Sequence, residues 1–201
     1  MLIGLDFDNT LVSYDEVFLT LAKNNGVIPK EWSGNKIKLR EYLRSQKGGE
    51  YQWQKLQGKI YGKWMHRAVL FDGVVDFLIG CKDNNISLCI VSHKTKYGIH
   101  DDEKIPLREE ALRWMEAQGF FSKLGIKKNN IFFEPTKEDK IKKIRSLNCD
   151  YFIDDLKEIL EHPDFPSNTR KILFSNSKEK IIIDAKIINK WNDLSVESFI
   201  C

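Results

Sequence analysis

The sequence lacks long apolar runs, and none of its hydrophobic stretches reaches the length needed to span a bilayer. The first residues enter an apolar stretch without a basic region before it, so we expect no signal peptide. Basic and acidic residues are interleaved and nearly balanced, 32 against 29, and the net charge of +3 leaves no basic stripe for a nucleic-acid polymer. These absences predict a cytoplasmic protein with neither a membrane nor a nucleic acid as partner.

Closely spaced cysteines are also missing. The four cysteines, Cys81, Cys89, Cys149 and Cys201, form no C-x-x-C pair. We therefore expect neither a disulfide framework nor a zinc cluster, and we expect a reducing compartment. The chain has no internal repeat and no low-complexity segment, which excludes solenoid and fibrous architectures.

What the sequence does contain is an alternation of short apolar runs and amphipathic stretches. Apolar runs predict strands, and helical periodicity predicts helices between them. The strands are expected at 2–5, 86–91, 131–133, 151–153 and 171–174. Ile181–Ile183 fits either a further strand or the start of a helix. Alternating strands and helices indicate an α/β fold with a parallel sheet.

One long interruption breaks this alternation directly after the first strand. Residues 14–67 have helical periodicity, with predicted helices near 15–22, 35–46 and 50–66. The last of these carries aromatic residues on one broad face. They pack between helices, or some of them close over a substrate together with His66 and Arg67.

Acidic and hydroxyl side chains follow three of the predicted strands. Asp6 and Asp8 follow the first strand, Ser92 follows the second, and Asp154 with Asp155 follows the fourth. Because the carboxyl ends of parallel strands meet at one sheet edge, we expect these side chains to converge there. Such a cluster of carboxylates needs a divalent cation to neutralise it, and all-oxygen ligation favours Mg²⁺.

The string Asp6-Phe7-Asp8-Asn9-Thr10, with the later serine, lysine and paired acids in the same order, resembles the haloacid dehalogenase (HAD) superfamily. The resemblance covers 1–12 and 71–155. It implies a doubly wound parallel sheet, a Rossmann-like core, with a small helical cap inserted after the first strand. The expected domains are then a catalytic core of 1–12 and 71–201 and a cap of 13–70.

The resemblance also implies roles for residues. Asp6 is the expected nucleophile that forms an aspartyl phosphate, and Asp8 the general acid and base. Ser92 and a lysine bind the transferring phosphoryl group. The expected Mg²⁺ ligands are Asp6, Asp8 through its backbone carbonyl, Asp154 and Asp155. The candidate substrate-binding residues are Asn9, Thr10, His93 and Lys94.

Two lysines compete for the catalytic position at the start of the helix that begins near 137. Lys137 lies beside the expected N-cap, Thr136, where the helix N-terminus already attracts phosphate. Lys140 lies at the edge of the buried stripe of the same helix. Helix phase and the spacing to Asp154 favour Lys140.

The presence of Asp8 favours phosphate transfer, because members that cleave carbon–halogen bonds need no acid there. The expected activity is Mg²⁺-dependent hydrolysis of a small-molecule phosphate monoester. Three alternatives stay open: a phosphomutase, a protein phosphatase of the same superfamily, and a catalytically silent binding module. The substrate and the oligomeric state are left open by the sequence.

Overall fold

The computed structural model describes residues 1–176 and 181–199. Its strands are β1 (Leu2–Leu5), β2 (Val12–Ser13), β3 (Val69–Leu70), β4 (Ser87–His93), β5 (Ile131–Glu134), β6 (Tyr151–Asp154), β7 (Arg170–Phe174) and β8 (Lys186–Ile188). Its α-helices are α1 (Asp15–Asn24), α2 (Lys36–Arg44), α3 (Gly49–Tyr61), α4 (Val74–Asp83), α5 (Leu107–Ala117), α6 (Lys137–Leu147) and α7 (Lys157–Leu160).

Six strands form one sheet in the order β5-β4-β1-β6-β7-β8, and every neighbouring pair is parallel. With helices flanking this sheet, the predicted α/β, Rossmann-like fold is confirmed. The strand order reverses at β1, since the chain adds β4 and β5 on one side and β6 to β8 on the other. Open α/β sheets bind ligands at the carboxyl ends of the strands beside such a switch point.

The centre of the sheet is closely packed because β1 carries a glycine. A Cβ atom on Gly4 would lie 2.5 Å from the ring of Phe152 and 3.0 Å from Sγ of Cys149. Gly4 therefore lets the buried side chains beside it approach the backbone of β1. The thiols of Cys89 and Cys149 lie 3.8 Å apart and are not joined by a disulfide.

Contacts divide the chain into two compact units. Unit one comprises Met1–Val12, Leu70–Lys94 and Met115–Cys201, and unit two comprises Ser13–Val69 and Thr95–Trp114. Unit one contains the six-stranded sheet. The chain passes between the units at β2 and β3, which pair in a separate two-stranded sheet.

Unit two is helical, as the periodicity of 14–67 predicted, and α1, α2 and α3 pack together in it. The segment 95–105 lies against α3 through two glycines. A Cβ atom on Gly98 would lie 2.5 Å from Cα of Gly58, so neither position accepts a side chain without displacement of the backbone. Two exposed ion pairs, Lys55–Asp102 and Lys63–Glu103, also join this segment to 13–69.

Three strands differ from the sequence predictions. β2 and β3 have two residues each, which is too short for a periodicity to show. Ile181–Ile183 forms neither of the predicted alternatives, and the sixth strand of the sheet is β8, a few residues later. No helix among the described residues has the length and apolar character needed to cross a membrane.

Candidate active site

The site begins where β1 ends and the chain turns back on itself. The N–H of Asp6 donates to the carbonyl of Ile153 at 2.8 Å, which continues the pairing with β6. Asn9 then adopts a left-handed conformation (φ 64°), and its N–H donates to the carbonyl of Val12 at 2.9 Å. Asparagine tolerates this conformation better than most residues, which explains why it suits this turn.

Three carboxylates converge beside this turn. One oxygen from each of Asp6, Asp154 and Asp155 lies within 4.8 Å of the other two. The hydroxyl of Thr10 links two of these residues, since it lies 3.2 Å from Oδ2 of Asp6 and accepts a hydrogen bond from the N–H of Asp155 at 3.0 Å. All of these residues belong to unit one.

A buried lysine from α6 reaches the same group. Nζ of Lys140 donates to Oδ1 of Asp6 and to Oδ2 of Asp154, both at 2.6 Å, and its side chain is 1% exposed. Thr136 caps α6 by accepting a hydrogen bond from the N–H of Asp139, as predicted. The cap fixes the start of the helix, so Lys140 falls on its buried face. Lys137 instead contacts Glu158, and its side chain is 42% exposed.

The pKa values of Asp6 and Lys140 are both raised, but for different reasons. Loss of hydration raises the pKa of Asp6 to about 7, because it outweighs the attraction of Lys140, and the neighbouring Asp154 carboxylate adds to the increase. Burial by itself would lower the pKa of Lys140, but the facing carboxylates of Asp154 and Asp6 outweigh burial and raise it. Lys140 is therefore a permanent cation at this site.

A second buried ion pair lies next to the first. Nζ of Lys94 lies 2.7 Å from Oδ2 of Asp8, with the lysine side chain 2% and the aspartate side chain 16% exposed. The carboxylate of Asp8 is thus paired with a different lysine from the one that contacts Asp6 and Asp154.

The donor set fits a hard divalent cation. Three carboxylates within 4.8 Å of one another supply only oxygen, the ligand type that Mg²⁺ prefers. Fully ionised, the site holds four carboxylates and two ammonium groups, which leaves two negative charges for a divalent cation to balance. These groups are Asp6, Asp8, Asp154, Asp155, Lys94 and Lys140.

The chain was compared with known proteins. No protein-family model matches the sequence, and the curated proteins contain no match either. Solved structures do match. One is a protein described as a predicted phosphatase from Clostridium acetobutylicum, with a TM-score of 0.63, 17% identity and coverage of 100% of this chain and 98% of that one. The fold is that of haloacid dehalogenase superfamily hydrolases.

Two further structures with this haloacid dehalogenase fold contain ligands. A candidate hydrolase of the superfamily from Bacillus subtilis is bound to magnesium, with a TM-score of 0.57, 16% identity and coverage of 96% of this chain and 95% of that one. A protein from Rhodobacter sphaeroides is in complex with xylulose 1,5-bisphosphate, with a TM-score of 0.57, 13% identity and the same coverage values.

The haloacid dehalogenase fold brings most of the sequence-predicted residues to one edge of the sheet in unit one. Ser92 is the second-last residue of β4; it is buried and paired in register with Phe133 of β5. His93 turns toward β5, where its Nε2 lies 3.0 Å from the carbonyl of Pro135, and burial lowers its pKa. Asn9 is half-buried in the turn described above.

Two supporting contacts were not foreseen from the sequence. Trp191 is 1% exposed, and its indole N–H donates to the carbonyl of Thr10 at 3.0 Å. This hydrogen bond holds the turn in place. The N–H of Leu156 donates to Oδ1 of Asp154 at 2.9 Å and orients that carboxylate. Trp191 lies 181 positions from Thr10, and no local signal in the sequence connects the two.

Proposed function

We propose that this chain is a Mg²⁺-dependent phosphomonoester hydrolase that acts on a small metabolite. The observation that carries the proposal is the buried group around Asp6, whose carboxylate contacts Lys140 at 2.6 Å and lies within 4.8 Å of two further carboxylates. A buried carboxylate flanked by a fixed cation and by oxygen donors for a metal is suited to attack an anionic phosphate ester.

Asp6, Asp154 and Asp155 would hold the metal ion. When bound, Mg²⁺ supplies positive charge that offsets repulsion between the phosphate and the carboxylates. Its charge also favours the ionised form of Asp6, whose pKa is about 7 without a metal. Thr10 keeps the Asp6 carboxylate oriented through its hydroxyl contact at 3.2 Å.

In the proposed reaction an oxygen of Asp6 attacks phosphorus and displaces the alcohol, forming an aspartyl phosphate. Asp8 gives a proton to the leaving oxygen, then takes one from the water that hydrolyses the intermediate. Lys140 balances charge on the phosphoryl oxygens, which is the main requirement of phosphoryl transfer. Ser92, buried at the end of β4, is proposed to donate to one of those oxygens.

We propose that unit two serves as the helical cap and contributes to the choice of substrate. Its main segment, Ser13–Val69, lies in the sequence between the turn that carries Asp8 and the strand that carries Ser92, which is the first cap position of the superfamily. The domain division predicted from the sequence, with 13–70 as the cap, is part of this proposal. Substitutions at exposed residues of unit two are expected to change the ranking of substrates more than the turnover of an aryl phosphate.

The test is a panel of phosphomonoesters, containing sugar phosphates, nucleotides, a phosphopeptide and an aryl phosphate, assayed with Mg²⁺ and after chelation. We expect turnover of a small-molecule ester that disappears on chelation and returns with Mg²⁺. Preference for the phosphopeptide would favour the protein phosphatase alternative. Tight binding without turnover would favour the silent module, and turnover that survives thorough chelation would refute the proposed metal dependence.

A further inference from the structure

Lys94 is a buried cation that takes no part in the reaction steps proposed above. It is the first residue after β4, and its N–H donates to the carbonyl of Glu134 at 2.9 Å, which extends the pairing of β4 with β5. The backbone is thus fixed at the sheet edge. Its ammonium group is aimed at Oδ2 of Asp8, 2.7 Å away, and lies 5.8 Å from the centre of the Phe7 ring.

The two buried lysines of unit one serve different aspartates. Lys140 contacts Asp6 and Asp154, whereas Lys94 contacts Asp8. Burying an ammonium group costs several kcal/mol unless a charged partner offsets the lost hydration. Asp8 is that charged partner for Lys94, and the ion pair in turn fixes the position of the Asp8 carboxylate.

We propose that Lys94 is a positioning residue that holds the carboxyl group of Asp8 where it can exchange a proton with the leaving oxygen and with water. This inference rests on the proposed function. It differs from the substrate-binding role expected from the sequence, because the Lys94 side chain is 2% exposed and its ammonium group is paired with a protein carboxylate.

The two chemical steps depend on Asp8 to different degrees. In the first, the bond from Asp6 to phosphorus forms, the bond from phosphorus to the ester oxygen breaks, and the proton of Asp8 passes to that oxygen. An alkoxide needs this proton, whereas an aryloxide leaves without much help. In the second, water oxygen bonds to phosphorus, the bond to Asp6 breaks, and Asp8 takes the proton of the water.

Displacing Asp8 should therefore affect alkyl and aryl phosphates unequally. The ratio kcat/KM reports the first step, so it should fall for the alkyl ester alone. The second step is common to both substrates, so kcat should fall for the aryl ester as well, and the aspartyl phosphate should accumulate. A lysine that only stabilised the fold, or only bound phosphate, would lower kcat/KM equally for both esters.

The experiment compares the wild-type chain with Lys94→Met, Lys94→Gln and Lys94→Arg at saturating Mg²⁺. Lys142→Met is the matched control, since that lysine is 75% exposed and pairs with Asp139 on the same helix. Each chain is assayed on one alkyl and one aryl phosphate. The phosphorylated protein is quantified by intact mass after acid quench, and thermal unfolding reports the folded fraction.

We expect Lys94→Met to lower kcat/KM for the alkyl ester by about 10²-fold, the usual effect of misplacing a catalytic group by about 1 Å. The aryl value should change by less than about threefold, and phosphorylated protein should accumulate with the aryl ester. Lys94→Arg should restore part of the alkyl activity, because it keeps the charge. If Lys94→Met does not fold, Lys94→Gln, which retains a donor for Asp8, should give a weaker effect of the same selectivity.

An equal loss on both esters would overturn the inference, as would a raised KM with unchanged kcat, which would return Lys94 to substrate binding. Failure of the proposed function looks different. A wild-type chain that hydrolyses neither ester refutes the phosphatase itself, whereas an active wild type matched by Lys94→Met refutes only the role of Lys94.

Discussion

The two units of this molecule bury different kinds of side chain. Among the described residues, every buried polar or charged side chain belongs to unit one: Asp6, Thr10, Ser92, Lys94, Lys140, Asp154 and Thr169. Unit two buries aromatic and aliphatic groups instead. Phe18 stacks on Trp53 with the ring centres 4.8 Å apart, and Tyr14 meets Tyr61 edge-on at the same distance.

Among the described residues, the buried ion pairs follow the same division. In unit two a pair such as Lys63–Glu103 lies at the surface, where the side chains are 60% and 51% exposed. In unit one the pairs of Lys94 and Lys140 are almost entirely excluded from water. Exposed pairs contribute about 0–1 kcal/mol, while removing one member of a buried pair costs about 3–5 kcal/mol. Buried charges are costly to the fold, and their restriction to unit one is the reason we propose that the reaction takes place there.

The comparison predicts that activity depends on the aspartates of unit one, and that loss of Asp6 and loss of Asp8 have different effects. We expect Asp6→Asn to lower turnover of any ester by more than about 10⁴-fold and to form no phosphorylated protein, because it removes the nucleophile. Asp8→Asn should retain measurable attack on an aryl phosphate, whose leaving group needs little protonation. Steady-state assays with acid-quenched mass measurements decide this. Equal losses on the aryl ester would contradict the two assignments.

Two lysines of α6 offer the sharpest contrast between a buried and an exposed charge on one element. Lys140→Ala should lower kcat by about 10²–10³-fold, the usual effect of deleting one group that stabilises the transition state. Lys137→Ala should change it by less than about threefold, since its partner Glu158 is also exposed and such pairs contribute little. Both variants are measured at saturating Mg²⁺ with their unfolding temperatures. The reverse ordering would move the catalytic role to Lys137.

The raised pKa of Asp6 predicts a pH-dependent stability in metal-free protein. Between pH about 4 and about 7 the folded chain keeps a proton on Asp6 that the unfolded chain has lost, so stability falls as pH rises through this window. The expected decrease is a few kcal/mol at about 1.4 kcal/mol per pKa unit, and each kcal/mol lowers the unfolding temperature by about 2–4 °C.

Thermal unfolding in chelator at several pH values measures this effect, and Asp6→Asn is the control. The lowered pKa of His93 acts in the opposite direction near pH 6, so the difference between wild type and Asp6→Asn is the quantity to follow. Mg²⁺ should remove most of that difference by stabilising the ionised site. Parallel pH profiles of the two proteins would show that Asp6 ionises normally.

The smallest expected effect concerns an exposed charge of unit two. Lys63→Ala breaks the pair with Glu103, and we expect it to change the free energy of unfolding by less than about 1 kcal/mol. Its kcat on an aryl phosphate should equal that of the wild type. Denaturant unfolding and a single assay check both values. A loss of stability or of kcat as large as that caused by replacing a buried lysine would show that exposed charges of unit two matter as much as buried charges of unit one.

Short-range patterns in the sequence were enough to predict several secondary-structure elements of this protein and several residues of its candidate site. The apolar run of β1 followed by Asp6 and Asp8 was recognisable because side chains alternate along a strand. The bounds of α6 follow from the Thr136 cap and helical periodicity, and the same periodicity placed Lys140 at the edge of the buried stripe. Caps, turns and periodicities depend on neighbours a few residues apart, so they are legible without a structure.

Very short strands and the strand at the sheet edge were not predicted from the sequence. β8 has three residues at the sheet edge, and β2 and β3 have two each, so none of them contains a full alternation. Their strand conformation comes from hydrogen bonds to a partner strand. The sequence of such a short segment therefore carries little information about which strand it pairs with.

Only the tertiary structure decided which distant side chains meet. The order of the strands places Lys94 beside Asp8, and the fold of the C-terminal part brings Trp191 to the carbonyl of Thr10. In unit two the close approach of Gly98 to Gly58 joins 95–114 to a segment that precedes it by tens of residues. Such contacts depend on how whole elements pack, and each residue's local sequence is compatible with many other partners.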